Sequence, residues 1–332
     1  MDRIKKLLRN DLTSVLLPLF VLFIVLVTTS NGFLSAYNIT SLLEQITIFV
    51  LIGMAQMMVL SLGQFNLALG SMGCLSAISM GFSMQVLGLP VPAAMVIGLA
   101  IAALLGWIQG LLIARSGINP FMITLALISV FYGIAAALTQ GKAYDRLPAT
   151  IQKINLLKFG PVPATFLASL IVCALVYFLF RYLDIGKRLL AVGENPLAAL
   201  FTGIDVKKTI TTGHMVSGLL CGIAAIIQIS KFGSAQISIG NDWMLTSFVV
   251  TVLGGTLLSG GKVSAVGTLL GSFLMMFINN LLVLWGVNAY IFQTILGLVL
   301  LGAFEVDRAR LSIIKRQMVP TNQESTEGNG DE

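Results

Sequence analysis

Side chains able to do chemistry are scarce in this sequence, and their pattern excludes more than it permits. There is no GxxxxGK[ST] phosphate loop, no metal-ligand cluster and no nucleophile–base pair. The chain is therefore not expected to hydrolyse ATP, to hold a metal or cofactor, or to act as an enzyme. The single histidine, His214, lies near one end of an apolar run. A proton-coupled carrier needs an Asp, Glu or His deep in a span, and no span places one there. What remains are uncharged polar groups set in apolar sequence: Gln56, Gln64, Asn66, Gln109, Asn119, Thr124, Asn279 and Asn280. An unpaired amide in hydrocarbon is costly, so each must face protein or water. They serve either interhelical hydrogen bonding or a path for a polar solute. Phe65, between Gln64 and Asn66, reads as a gate or as packing.

A second constellation is soluble. Within the loop 183–210, Asn195-Pro196 can cap and begin a short helix, since Pro suits the first helical position. Gly203 can end it. The piece between, LAALFT, is small and apolar. It is either a connector on the membrane surface or a knob that docks into a partner.

The elements that carry these groups follow from composition. Of 332 residues, 57% are apolar and 10% charged, where a soluble domain carries about 25% charged. Residues 45–114, 116–141, 159–180, 243–261 and 263–304 contain no Asp, Glu, Lys, Arg or His. A bilayer core of about 30 Å needs about 20 apolar residues per helix. We read ten spans: 12–30, 42–62, 67–87, 91–114, 120–140, 162–182, 211–230, 243–259, 264–284 and 288–305. The fold class is thus all-α, a polytopic membrane protein. Residues 1–305 form the transmembrane domain, and 306–332 a charged tail whose composition predicts disorder. The run after MDRIKKLLRND has no small-residue cleavage site and reads as a retained first helix. Cys74, Cys173 and Cys221 lie inside spans and read as packing residues. The net charge of +6 sits outside the spans, so it signals topology and lipid contact rather than nucleic-acid binding.

Placing the N-terminus in the cytoplasm puts Arg3, Lys5, Lys6, Arg9, Arg115, Arg181, Lys187, Arg188, Lys207, Lys208, Lys262, Arg308, Arg310, Lys315 and Arg316 inside. It leaves Lys142, Arg146, Lys153, Lys158 and Lys231 outside. This bias predicts a multi-pass inner-membrane protein with both termini cytoplasmic. An internal repeat is also present. Gly63-Gln-Phe-Asn66-Leu-Ala-Leu-Gly70 matches Gly233-Ser-Ala-Gln236-Ile-Ser-Ile-Gly240, and Gly117-Ile-Asn119 matches Gly286-Val-Asn288. The offsets are 170 and 169 and the two members fall on opposite sides, as an inverted repeat of spans 2–5 and 7–10 requires.

Three stretches resemble the permeases of the ribose-type sugar ABC importer family. Gly193, Asn195, Ala198, Ala199, Thr202, Gly203 and Ile204 match its coupling pattern G-x-N-x-x-A-A-x-x-S-G-I. Pro120, Phe121, Thr124, Leu125 and Gly133 match its P-F-I-x-T-L region, and Val249 to Ser272 is similar to its V-L-G-G…G-G…G-T-x-x-G run. The resemblance implies an import permease for a small polar solute, a monosaccharide above all. It implies a separate P-loop ATPase that grips Gly193, Asn195, Pro196, Ala198, Ala199, Thr202 and Gly203. It further implies an extracytoplasmic binding protein, a second permease chain of the same or a different kind, and a path near Gln64, Phe65, Asn66, Asn119, Thr124, Asn279 and Asn280. One departure stands out. The family's G-G-I-D-L-S-x-G run is here Gly63-Gln64-Phe65-Asn66-Leu67-Ala68-Leu69-Gly70, with Asn66 in place of a carboxylate. A permease for nucleosides or branched-chain amino acids, or a stand-alone carrier or channel, are the competing readings.

Overall fold

The computed structural model describes residues 11–29, 32–287, 291–298 and 301–302. The helices are α1 (Asp11–Thr29), α2 (Ala36–Leu60), α3 (Leu69–Gln85), α4 (Val91–Ser116), α5 (Pro120–Thr139), α6 (Ala149–Leu156), α7 (Ala164–Tyr182), α8 (Asp184–Glu194), α9 (Pro196–Phe201), α10 (Val206–Phe232), α11 (Trp243–Leu253) and α12 (Ala265–Leu284). Local chemistry sets many of the starts. Ser35 accepts from the Asn38 N–H to cap α2, Asn119 from the Phe121 N–H to cap α5, Asp205 from the Lys208 N–H to cap α10, and Ser264 from the Gly267 N–H to cap α12. Among the described residues six helices are long and apolar enough to cross a membrane: α2, α4, α5, α7, α10 and α12. α1 and α11 contribute shorter apolar stretches, and α3 is buried along nearly its whole length.

Two expectations change. The span read as 243–259 is a helix of 11 residues that stops at Leu253. At about 1.5 Å per residue it covers roughly half a bilayer core; the glycine-rich segment 254–264 that follows is not helical. Likewise α3 begins only at Leu69, after the irregular turn at 61–68. The loop 141–161 holds α6 and part of a small antiparallel pair, β1 (Lys158–Phe159) and β2 (Val162–Pro163). Asn288, both ends of the tenth span and the tail lie outside the described residues, although 291–298 are helical.

The repeat is visible in the backbone. Shifting α2 by 170 residues gives 206–230, against Val206–Phe232 for α10, and shifting α4 by 169 gives 260–285, against Ala265–Leu284 for α12. The matched glycines share one conformation: φ is 68° at Gly63 and 67° at Gly233, and 68° at both Gly117 and Gly286. Only glycine adopts this left-handed region without strain. α2 packs on α10; α2 also meets α11 and α12, while α10 meets α3 and α4, so the contacts are exchanged between the halves. The halves run in opposite directions. The Thr40 hydroxyl near the start of α2 donates to the Pro161 carbonyl at 2.9 Å, and Ser61 at its end meets Gly193. α10 begins beside α8, with Gly213 against Leu189, and ends with Gly233 against Gln152 of α6. At that second end Glu44 bridges Lys158 and Lys231 at 3.4 and 3.6 Å.

Candidate functional site

Two regions gather the groups singled out by the sequence. The first is the α8–α9 knob. Asn195 Oδ1 accepts from the Leu197 and Ala198 N–H groups, both at 3.0 Å, and Pro196 occupies the first helical position. The Gly203 N–H closes on Leu200 O and the Ile204 N–H on Ala199 O, with Gly203 at φ 84°. The Thr202 hydroxyl donates to Ala199 O at 2.8 Å. The helix therefore forms as expected, but the Ala198-Ala199 pair is split between its two faces. Ala199 is buried, whereas Leu197, Ala198, Leu200 and Phe201 are exposed, Phe201 at 88%. A hollow of about 570 Å³ lies between Leu197 and Leu200 on one side and Ile113 and Ala114 at the end of α4 on the other.

The knob is anchored in part through backbone, beside the buried Leu189, Val192 and Ala199. A Cβ at Gly193 would overlap the Ser61 carbonyl and approach the Gly261 nitrogen. The Gly261 N–H donates to that same Ser61 oxygen at 3.1 Å, and Gly260 touches both Gly193 and Gly63. One knot of backbone thus joins α8 to the turn before α3 and to the non-helical stretch after α11.

The second region is where the two broken elements meet. Gly70 and Gly240 pack backbone to backbone, each filling the space a Cβ would need on the other. Trp243, fully buried, lies on Gly73. Beneath this crossing His214 joins two amides. Its Nδ1 lies 2.9 Å from Gln109 Nε2 and its Nε2 lies 2.9 Å from Gln64 Oε1. An amide NH₂ only donates and an amide oxygen only accepts, so the arrangement fixes a neutral imidazole carrying its proton on Nε2. Phe65 packs on Phe248 with ring centroids 5.6 Å apart. Asn66 is buried; its amide donates to the Met72 sulfur at 3.7 Å while Oδ1 has no partner.

A model of the family described as branched-chain amino acid transport system / permease component matches residues 38–304. The chain belongs to this family. Among its relatives is the ribose import permease protein RbsC of Bacillus subtilis (strain 168), 33% identical over 296 residues, which cover 89% of this chain and 92% of that one. The D-allose transport system permease protein AlsC of Escherichia coli (strain K12) is 28% identical over 276 residues, covering 83% and 85%. The autoinducer 2 import system permease protein LsrD of Photorhabdus temperata is 32% identical over 297 residues, covering 86% and 87%. No solved structure gives a significant match.

In this permease the remaining sequence-derived residues are dispersed. Asn119 is the exposed cap of α5, and the Thr124 hydroxyl is buried and donates to Phe121 O. Asn280 exchanges hydrogen bonds with Asn38, at 2.9 and 3.4 Å, which ties α12 to α2, and Asn279 is half-buried beside it. Gln56 is fully buried and neither end of its amide has a protein partner. So Gln64, Phe65 and Asn66 cluster at the helix crossing, and the other four path candidates do not join them.

The sequence reading missed a further group. Asn241 and Asp242 are exposed at the start of α11, and Tyr132 of α5 lies 3.1 Å from Asn241 through its hydroxyl. Asp242 directly precedes a charge-free run, so it looked like a loop residue. The segment 234–242 instead runs from the Tyr144–Ala235 bridge to the approach of Gly240 on Gly70, and Asp242 follows directly after it.

Proposed function

We propose that this permease imports a monosaccharide, driven by a P-loop ATPase subunit and supplied by an extracytoplasmic binding protein. The observation that carries the solute class is its resemblance, along almost its whole length, to relatives named for ribose and D-allose. Two permease chains enclose the path between them, and both termini face the cytoplasm, in keeping with the distribution of Lys and Arg. The exposed Leu197, Leu200 and Phe201 supply the apolar contact that the ATPase receives. Gly193, Asn195, Pro196, Ala198, Ala199, Thr202 and Gly203 shape and anchor that knob. Gln64, Phe65 and Asn66 are the path candidates that lie closest to the crossing of the broken elements. Residues 306–332 form a cytoplasmic tail outside the permease domain. ATP-driven closure of the ATPases shifts the permease between inward-open and outward-open forms by rigid-body motion.

The test is uptake of radiolabelled D-ribose and D-allose by the host, by a strain lacking this chain, and by that strain complemented with a tagged copy. Loss and recovery of uptake of either sugar, with a P-loop ATPase recovered alongside the tagged chain in mild detergent, is the expected result. Unchanged uptake of both sugars, with loss of nucleoside or branched-chain amino acid uptake instead, overturns the solute class. Recovery of the chain without an ATPase overturns the importer assembly.

A further inference from the structure

We infer that Tyr132, Asn241 and Asp242 line the water-filled solute path at the middle of the membrane, where they contact a neutral polyhydroxylated solute and turn anionic ones away. The inference deepens the importer reading above and rests on it. The depth comes from packing. Gln85, at the outer end of α3, accepts from the Arg146 N–H, and the Tyr144–Ala235 bridge lies beside Gly81. Trp243 lies against Gly73. Gly73 to Gln85 is twelve residues of helix, about 18 Å at 1.5 Å per residue. In a bilayer core of about 30 Å, Asn241 and Asp242 therefore stand near the midplane. Tyr132 starts less deep, six residues or about 9 Å of helix below Leu138, whose carbonyl accepts from the Tyr144 hydroxyl at the outer end, and its side chain reaches Asn241 through its hydroxyl.

Both Asn241 and Asp242 are exposed on the single chain. A charged carboxylate and a free amide at that depth cannot face lipid, so this face meets water. On the face of α5 that carries Tyr132, Ser129 and Ala136 are exposed, and a Cβ added at the adjoining Gly133 would meet nothing within 4 Å, so the surface beside Tyr132 is open. An independent sign of a polar lining is the Thr246 hydroxyl, one turn beyond Asp242 on α11, which is buried without a protein partner. The chemistry is selective. The Tyr132 hydroxyl donates to Asn241 Oδ1, which leaves the Asn241 NH₂ to donate and the Asp242 carboxylate to accept. Adjacent hydroxyls of a polyol both accept and donate, and match this pair. A phosphate or carboxylate on the solute would meet Asp242 with like charge.

The test is cysteine accessibility in the full chain, expressed in cells with its own partners. Asn241→Cys and Tyr132→Cys are treated with a cationic (trimethylammonium-ethyl) and an anionic (sulfonatoethyl) methanethiosulfonate, and rates are referred to those of free cysteine. The unsubstituted chain controls for the buried native cysteines, and Leu175→Cys, exposed on α7, controls for a lipid-facing position. We expect labelling at position 241 or 132 but not at 175. We expect the cationic reagent to be favoured about fivefold, as one charge a few ångströms away in a partly aqueous channel implies. Adding Asp242→Asn should bring that preference to about one. No labelling at either position overturns the inference, as does a preference that survives Asp242→Asn. Because neither readout needs the solute's identity, a failure of the sugar assignment leaves this result standing.

Discussion

Replacing His214 by Phe should expose how much the departed Gly63–Gly70 run depends on this histidine. The imidazole is fully buried and bonded on both sides, to Gln109 and to Gln64. Phe fills similar space but leaves Gln109 Nε2 and Gln64 Oε1 without partners. An abandoned buried polar group costs about 1–3 kcal/mol. Gln64 is only part-buried and can recover some of that from water. We therefore expect a loss of about 2–4 kcal/mol. Gln64→Met alone removes the acceptor for the Nε2 proton and should cost about 1–2 kcal/mol. In the double variant Gln109 alone stays unpaired, so the losses should fall short of additive by about 2 kcal/mol, the top of the range measured for hydrogen bonds between membrane helices. Equilibrium unfolding in mixed detergent micelles, read by tryptophan fluorescence, supplies the cycle. Additivity within about 0.3 kcal/mol, the usual figure for independent sites, would refute the bonded chain and leave Gln64 a turn residue only.

Three further outcomes follow from the geometry. Leu200→Asp should leave the chain folded, because Leu200 is exposed, yet abolish ATPase recovery and uptake, whereas Ala199→Asp should reduce folded yield itself; size-exclusion profiles separate the two. Gly240→Ala places a Cβ against the Gly70 carbonyl at φ 89° and should cost at least about 2 kcal/mol from the backbone term and the overlap together, seen as loss of detergent-stable protein. Asn280→Leu should destabilise by about 1 kcal/mol by leaving Asn38 Oδ1 unpaired, and adding Asn38→Leu should not restore it, because the Asn38 amide also donates to the Phe33 carbonyl, as measured in the same unfolding assay.

Much of this fold could be read from the sequence because the bilayer imposes long apolar runs and a charge asymmetry, and both are written one residue at a time. The repeat was legible for a related reason. Gly63, Gly117, Gly233 and Gly286 adopt a left-handed conformation that restricts the choice of residue, so the offset survives in the letters. Pairings set by three-dimensional approach left weaker marks. Nothing local in Gly70 and Gly240 announces that they touch, and a helix of five or six residues gives no period from which to tell that Ala199 turns inward and Leu200 outward. Asp242 was passed over because a charge at the edge of an apolar run ordinarily marks the membrane surface. Here α11 has only 11 residues, and on the placement inferred above the edge of its apolar run lies at depth.

That break also bears on how force crosses the molecule. An unbroken pair of spans at 61–87 and 243–264 could slide on α8 with only side chains adjusting. Instead the turn before α3 and the stretch after α11 are both held to Gly193 through backbone, by the Ser61 carbonyl and by Gly260 and Gly261. Close-packed backbone has no rotamer freedom with which to absorb a shift. A displacement of the α8–α9 knob must therefore move the non-helical parts of both repeats together. Those parts lead directly into α3 and out of α11, the two elements whose starts meet at Gly70 and Gly240. The small residues at the knot thus do for motion what Leu197, Leu200 and Phe201 do for docking. Gly193→Ala should accordingly separate the two: the ATPase should still be recovered with the chain while uptake falls at least tenfold. Normal uptake by a folded Gly193→Ala chain would show that the knot is packing and transmits nothing.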